Sequence, residues 1–337
     1  MAPRPSPLFL YWLLNPSRYP LMTPLIFLQR TLKSLFRIIL ALLILLPILS
    51  GVIGWFAAPG ALHPPRREMT ATLVTEADAE FSLIGAKRVD FQVRAPDGVI
   101  LRGWKVRPAQ SNSNWVLLYH GVADNRMGVL GQAAFLLRAS YSVVMMDARA
   151  HGASEGAMAT YGWLERNDTR GIVEVLESSE TVGHLYALGE SMGAAIALQS
   201  AAVEPRIEAV AAESSFSNLR EAAYDYSGLH WSPWLGKTLF LPGAWIVTHR
   251  AEKEAGFRAA DVSPEKSVAA RPFPVLLICD AADTTLPCRH SRRIHAAARG
   301  PKQLWVVPRA FHTAALGFQP EEFKRRVLEF FASSASR

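Results

Sequence analysis

The pentapeptide Gly189-Glu190-Ser191-Met192-Gly193 constrains this chain more than any other stretch. A short apolar run at residues 184–188 precedes it and reads as a buried strand, and residues 194–202 follow it and read as a helix. Glycines two positions before and two after the serine permit a turn so tight that Ser191 takes a strained backbone conformation. The helix then starts beneath the serine. Its dipole and the Met192 N–H face any negative charge that develops on an oxygen held there. The pentapeptide alone is also what a glycine-flanked turn with an incidental serine looks like. The strand before it and the helix after it favour a nucleophile.

Around this turn, strand and helix patterns alternate. Residues 89–93 and 99–104 flank Ala95-Pro96-Asp97-Gly98, a hairpin turn signal. Further apolar runs lie at 115–119, 141–146, 184–188, 207–212, 275–279 and 304–307, making eight strands in all. Helical patterns fall at 129–139, 165–176, 289–298 and 321–331. This rhythm predicts an α/β fold with a mostly parallel eight-stranded sheet and helices on both faces. Residues 216–270 break it. They hold Trp231, Trp234, Phe240, Trp245 and Phe257 among scattered prolines, too apolar for a disordered loop. They read as a small helical cap over the carboxyl edge of the sheet. Trp231 and Trp234 are placed there either to line an acyl-binding pocket, to face a membrane, or to hold the cap on the sheet.

Charge is unevenly spread. Seven of the 36 basic residues precede Glu68, which is the first acidic residue, so the remainder is balanced at 29 against 29. The basic excess therefore belongs to the N-terminal region and argues against a nucleic-acid-binding surface. Residues 38–62 carry no charge. A run of that length spans the ~30 Å hydrocarbon core of a bilayer. The chain thus divides into a basic tail at 1–37, a transmembrane helix at 38–62, a linker at 63–88 opening on His63-Pro64-Pro65-Arg66-Arg67, and a folded domain at 89–337. A cleaved signal peptide is the rival reading. The long region before the apolar run, with its own apolar patch at 8–14, favours an uncleaved anchor. Arg18, Arg30, Lys33 and Arg37 precede the span, whereas Arg66, Arg67 and Glu68 follow it. The positive-inside bias puts the N-terminus in the cytoplasm and the domain on the extracytoplasmic side, periplasmic or extracellular. Cys279 and Cys288 either pair there or remain two thiols.

A serine nucleophile needs a general base. His312, in a turn after the last strand, reaches the same sheet edge as the elbow. The base needs an acid to fix its tautomer, and Asp283 follows the strand that ends at Cys279. Asp280 on the same loop and Glu213, which follows the strand after the elbow, are rivals. The oxyanion hole needs a second backbone donor besides Met192, and Val122 in His120-Gly121-Val122 offers one.

With these motifs assembled, residues 89–331 resemble the α/β-hydrolase superfamily, and look closest to membrane-anchored serine hydrolases related to the serine aminopeptidase-like group. His120-Gly121-Val122-Ala123-Asp124-Asn125, Asp147-Ala148-Arg149-Ala150-His151-Gly152-Ala153-Ser154, the elbow from Gly189 to Gly193, the acid loop from Asp283 to Pro287, and Phe311-His312 carry the resemblance. Cys279-Asp280 stands where relatives often have His-Gly, which sets a second carboxylate beside Asp283. The resemblance implies that Asp147 and His151 brace the floor of the site. Arg149 either joins them or binds a substrate carboxylate.

The expectation is a serine hydrolase acting on an ester, thioester or amide of a small-molecule or lipid-like acyl substrate, with no metal or organic cofactor. An aminopeptidase or acyltransferase is an alternative on the same fold. From outside the enzyme class, the rival is an inactive hydrolase fold kept as a membrane-bound interaction module. The intact set of Ser191, Asp283 and His312 speaks against it. The sequence leaves the oligomeric state open.

Overall fold

The computed structural model describes residues 24–335. The first 23 residues, with the apolar patch and the greater part of the expected basic tail, lie outside the described residues. The described residues divide into two compact units between Leu49 and Ser50.

Helix α1 (Pro24–Leu62) begins ahead of residue 38, where the span was expected to start. Arg30, Lys33 and Arg37 are good helix formers and do not interrupt it. Its stretch Leu28–Leu62 is long and apolar enough to cross a membrane, and most of its large side chains are exposed. The expected linker also holds more structure than its prolines suggest. Helix α2 (Ala71–Leu83) starts at Thr70, whose side chain accepts from Leu73 N–H at 3.3 Å. It buries Ala77 and Phe81, one turn apart, and Phe81 packs edge-on against Trp104 at 6.3 Å.

The sheet contains β1 (Lys87–Arg94), β2 (Ile100–Arg107), β3 (Trp115–Tyr119), β4 (Ser142–Met146), β5 (Leu185–Glu190), β6 (Ala209–Glu213), β7 (Val275–Asp280) and β8 (Lys302–Val307). Their order is β1-β2-β4-β3-β5-β6-β7-β8. The hairpin β1–β2 joins β4 antiparallel, and every pairing from β4 to β8 is parallel. The inner strands β3, β4, β6 and β7 are buried along their whole length, which is why they read as continuous apolar runs rather than alternating ones.

One face carries α4 (Glu165–Ser179), α5 (Met192–Val203) and α10 (Arg289–Ala297), packed through Ile172, Leu176, Ile196 and Ile294. The other carries α2, α3 (Leu130–Arg138) and α12 (Pro320–Ala335), packed through Phe81, Leu136, Phe323 and Phe331. Strand β5 lies at the centre, so the loops leaving β3, β5, β6, β7 and β8 all open at one sheet edge. A short helix α11 (Ala315–Phe318) follows the last of these loops.

Between β6 and β7 the chain forms α6 (Leu219–Ser227), α7 (Pro233–Lys237), α8 (Leu241–Ala255) and α9 (Pro264–Ala270). The expected cap at 216–270 is therefore narrower in the structure. Helix α9 returns to the sheet layer, where Ser263 N–H donates to Gln199 Oε1 of α5 at 3.1 Å and Arg299 N–H donates to Val268 O. The cap proper is α6 to α8.

Candidate active site

Ser191 closes the turn between β5 and α5 with φ +52° and ψ −119°, the strained conformation the flanking glycines permit. Those glycines are forced by packing. A Cβ on Gly189 would collide with the backbone of Gly193, and one on Gly193 would collide with Tyr119 O and His120 O. Ser191 N–H donates to Glu213 O at 2.9 Å, which ties the turn to the neighbouring strand.

His312 Nε2 lies 2.9 Å from Ser191 Oγ, and His312 Nδ1 lies 2.7 Å from Asp283 Oδ2. Of the three carboxylates considered from the sequence, Asp283 is the one that meets the imidazole. Its other oxygen, Oδ1, accepts from Thr285 N–H at 2.8 Å and Leu286 N–H at 2.9 Å. The carboxylate is thus oriented before the histidine arrives. With Nδ1–H donated to Asp283, Nε2 carries the lone pair that can take the Ser191 hydroxyl proton. The two loops are sewn together, with Ala282 N–H donating to Ala310 O and Ala281 N–H to Val307 O.

Cys279 and Cys288 are joined as a disulfide, with Cα atoms 5.4 Å apart. Cys279 sits in β7 and Cys288 at the start of α10, so the bond closes the loop that carries Asp283.

The loop after β3 lies against the elbow. A Cβ on Gly121 would stand 3.7 Å from Ser191 Cβ, so the loop leading into Val122 borders the serine. Met192 opens α5, where a helix N-terminus leaves its first N–H groups without intrahelical partners. Behind this loop two histidines act as braces. His120 Nε2 accepts from Ala148 N–H at 3.0 Å while Nδ1–H donates to Gly121 O at 2.7 Å. His151 Nε2 accepts from Ala123 N–H at 3.1 Å while Nδ1–H donates to Arg149 O at 2.9 Å. The bond to His151 secures Ala123, which is held at φ +61°. Burial pushes the His120 imidazole below its ordinary range, and burial followed by the neighbouring His120 brings His151 down to about 4. Both rings are neutral acceptors for backbone amides.

Asp147 is fully buried and accepts from Arg126 Nη2 at 2.6 Å and Ala153 N–H at 2.7 Å. Arg149, left between two roles by the sequence, is committed to structure. Its guanidinium bonds Asp168 at 2.6 and 2.8 Å and Asp97 at 2.9 Å.

Three acids beneath the elbow escaped a full sequence reading. Burial, followed by the charge of Asp124, raises Glu190 to about 8, and Gln132 Nε2 donates to its Oε2 at 3.0 Å. Burial and then Asp280 push Glu213 well above the carboxylate range, and burial raises Asp280. Glu213 Oε1 accepts from Ala315 N–H at 2.9 Å and Asp280 Oδ2 from Ser214 Oγ at 2.9 Å. The sequence signal for Glu190 was available, since an acid adjacent to a buried nucleophile has to be neutral or paired.

Trp231 and Trp234 are 87% and 67% exposed, so a buried packing role does not describe them. The cap packs through its small residues instead. A Cβ on Gly236 would strike Tyr224 O, and one on Gly228 would strike Ser232 O, so the bulky side chains are turned outward.

A family model described as serine aminopeptidase, S33, matches residues 110–259. The chain is 27% identical over 248 residues to the uncharacterized protein YqkD of Bacillus subtilis, covering 72% of this chain and 79% of that protein. It is 30% identical over 242 residues to an uncharacterized protein of Mycobacterium tuberculosis, covering 71% and 75%. Among solved structures, the Pyrococcus furiosus esterase Pf2001 superposes with a TM-score of 0.65 at 23% identity, covering 81% of this chain and 97% of that one.

Proposed function

Because this chain belongs to the α/β-hydrolase superfamily, we propose that it is a membrane-anchored serine hydrolase that cleaves carboxylic ester, thioester or amide bonds through an acyl-enzyme on Ser191. The observation that carries this reading is the continuous chain Ser191 Oγ, His312, Asp283, with links of 2.9 and 2.7 Å. Ser191 attacks the acyl carbonyl as His312 Nε2 takes its proton. Asp283 holds the imidazole in the required tautomer and stabilises the imidazolium. The carbonyl oxygen becomes an oxyanion facing the Met192 and Val122 amides. His312 then gives its proton to the leaving oxygen, sulfur or nitrogen, and that group departs. Water, deprotonated by the same nitrogen, attacks the acyl-enzyme, and Ser191 leaves with the proton from His312. Glu190 fits this scheme because a protonated carboxyl places no competing negative charge beneath the oxyanion.

The apolar stretch Leu28–Leu62 and its exposed side chains support an anchor. The Cys279–Cys288 disulfide suits an oxidising compartment, in line with a domain outside the cytoplasm. Exposed Phe311 and Phe318 pack edge-on at 5.9 Å next to His312 in the chain, and they suit an apolar acyl group. The test is hydrolysis of p-nitrophenyl esters of graded chain length and of aminoacyl p-nitroanilides by wild type and Ser191→Ala. Ester turnover lost in the variant supports the proposal. Turnover of anilides alone moves it to the aminopeptidase reading, and turnover of neither points to the inactive module.

A further inference from the structure

The last turns of α1 are built against the cap. Ser50 Oγ donates to Phe240 O at 3.0 Å and accepts from Gly243 N–H at 3.1 Å. Gly54 and Gly243 meet backbone to backbone, where a Cβ on either would collide with the other helix. Arg250 Nη1 donates to Trp55 O at 3.0 Å, with its guanidinium 4.6 Å over the Trp55 ring. His63 Nε2 lies 2.6 Å from Glu254 Oε1. The contacts of residues 50, 55 and 63 with 243, 250 and 254 advance together, so α1 and α8 run side by side in the same direction.

Both helices share one polarity gradient along that direction. No charged residue occurs in α8 before Arg250, and Arg250, Glu252, Lys253 and Glu254 crowd its second half. In α1 and its extension none occurs from residue 38 until Arg66. The apolar end of α8 therefore lies level with the apolar part of α1. At that level α1 exposes Ile53, Trp55 and Phe56, while α8 exposes Leu241 and Trp245. Trp231 and Trp234, in the turn and short helix that precede α8, are exposed as well.

Depth follows from helix rise. A hydrocarbon core of ~30 Å takes about 20 residues at about 1.5 Å each. Counted from Arg37, the last charge before the span, that core extends past the Ser50–Gly243 contact and ends close to Phe56. The start of α8 cannot then stand clear of the bilayer.

Taking α1 as the membrane span proposed above, we propose that the tip of the cap, formed by Trp231, Trp234, Leu241 and Trp245, is seated in the phospholipid leaflet from which α1 emerges. Tryptophan suits this boundary because its ring is apolar and its N–H seeks the headgroup level. The exposure of four large apolar side chains between residues 231 and 245 of the cap is then explained by lipid.

The test uses the full chain in phosphatidylcholine vesicles, with a fluorophore on one introduced cysteine at a time. Leu42→Cys reports on the span, Trp234→Cys on the cap, and Asp90→Cys on the exposed edge strand. The disulfide keeps the native cysteines from labelling. The label at 42 is expected to be quenched by a nitroxide deep in the acyl chains, and the label at 234 by a nitroxide near the headgroups. Iodide should quench at 234 about threefold less than at 90, as for a group at the interface. If 42 behaves as expected while 234 is quenched by iodide like 90, the cap proposal fails and the span stands. If iodide reaches 42, the span reading fails and this proposal with it. If 234 is shielded from both quenchers until excess vesicles dilute the protein, a second copy covers the edge and the lipid assignment is overturned.

Discussion

Glu213 accepts a hydrogen bond from the Ala315 amide at 2.9 Å, three residues beyond His312, while the imidazole itself bonds Asp283 and Ser191. The acid that ends β6 thus supports the loop that presents the base, while the acid after β7 orients the base directly. The two roles separate in mutants. Asp283→Asn leaves an amide opposite His312 Nδ1 and favours the wrong tautomer, and kcat should fall by roughly 10³- to 10⁴-fold. Glu213→Gln and Asp280→Asn should each cost far less. Steady-state kinetics on one p-nitrophenyl ester decides it. A larger loss in Glu213→Gln would transfer the orienting role to Glu213.

The Cys279–Cys288 bond closes a short loop around Asp283. Loss of a bond closing so few residues costs on the order of 2–3 kcal/mol in the chain-entropy picture. The double variant Cys279→Ser, Cys288→Ser should melt at lower temperature. Its kcat should drop several-fold with KM little changed, because Asp283 becomes less well placed. A Tm and kcat matching wild type would show that the loop needs no covalent closure.

Much of this arrangement was legible in the sequence, for reasons tied to burial. Strands β3 to β7 are covered on both faces, so they appear as unbroken apolar runs, and the glycines at 189 and 193 mark a backbone approach only glycine permits. Helix α2 escaped notice because only Ala77 and Phe81 are buried in it, too thin an apolar stripe to stand out. The Gly54–Gly243 contact joins residues far apart in the chain and depends on the absence of side chains. The sequence left Trp231 and Trp234 open between lining, membrane-facing and packing roles, because aromatic content does not reveal which way a ring on a turn or a short helix faces. Arg149 was undecided because its partners Asp97 and Asp168 come from separate elements.

Glu190 gives the fold a pH dependence with a definite sign. Its carboxyl titrates at about 8 when folded and in the ordinary carboxylate range when unfolded. Between those values the folded state holds the extra proton. The associated stability is complete below the unfolded value and is lost as pH rises through about 8. Wild-type Tm should therefore decline more steeply between about pH 5 and pH 8 than that of Glu190→Gln, which keeps a polar group for Gln132 without titrating. Parallel declines in the two proteins would remove Glu190 from the account.

Topology is open to a direct assay. A reporter that becomes active only outside the cytoplasm, fused after Arg337, should be active in cells, and its cytoplasmic counterpart silent. The reverse result would put the catalytic domain on the cytoplasmic side and leave the disulfide in a reducing compartment.

The most direct test is to treat the purified full chain with a fluorophosphonate and locate the adduct by peptide mass spectrometry. The account predicts a single stoichiometric adduct on Ser191, no adduct in Ser191→Ala, and labelling slowed by orders of magnitude in Asp283→Asn. An adduct on another residue, or full esterase activity retained by Ser191→Ala, would contradict it.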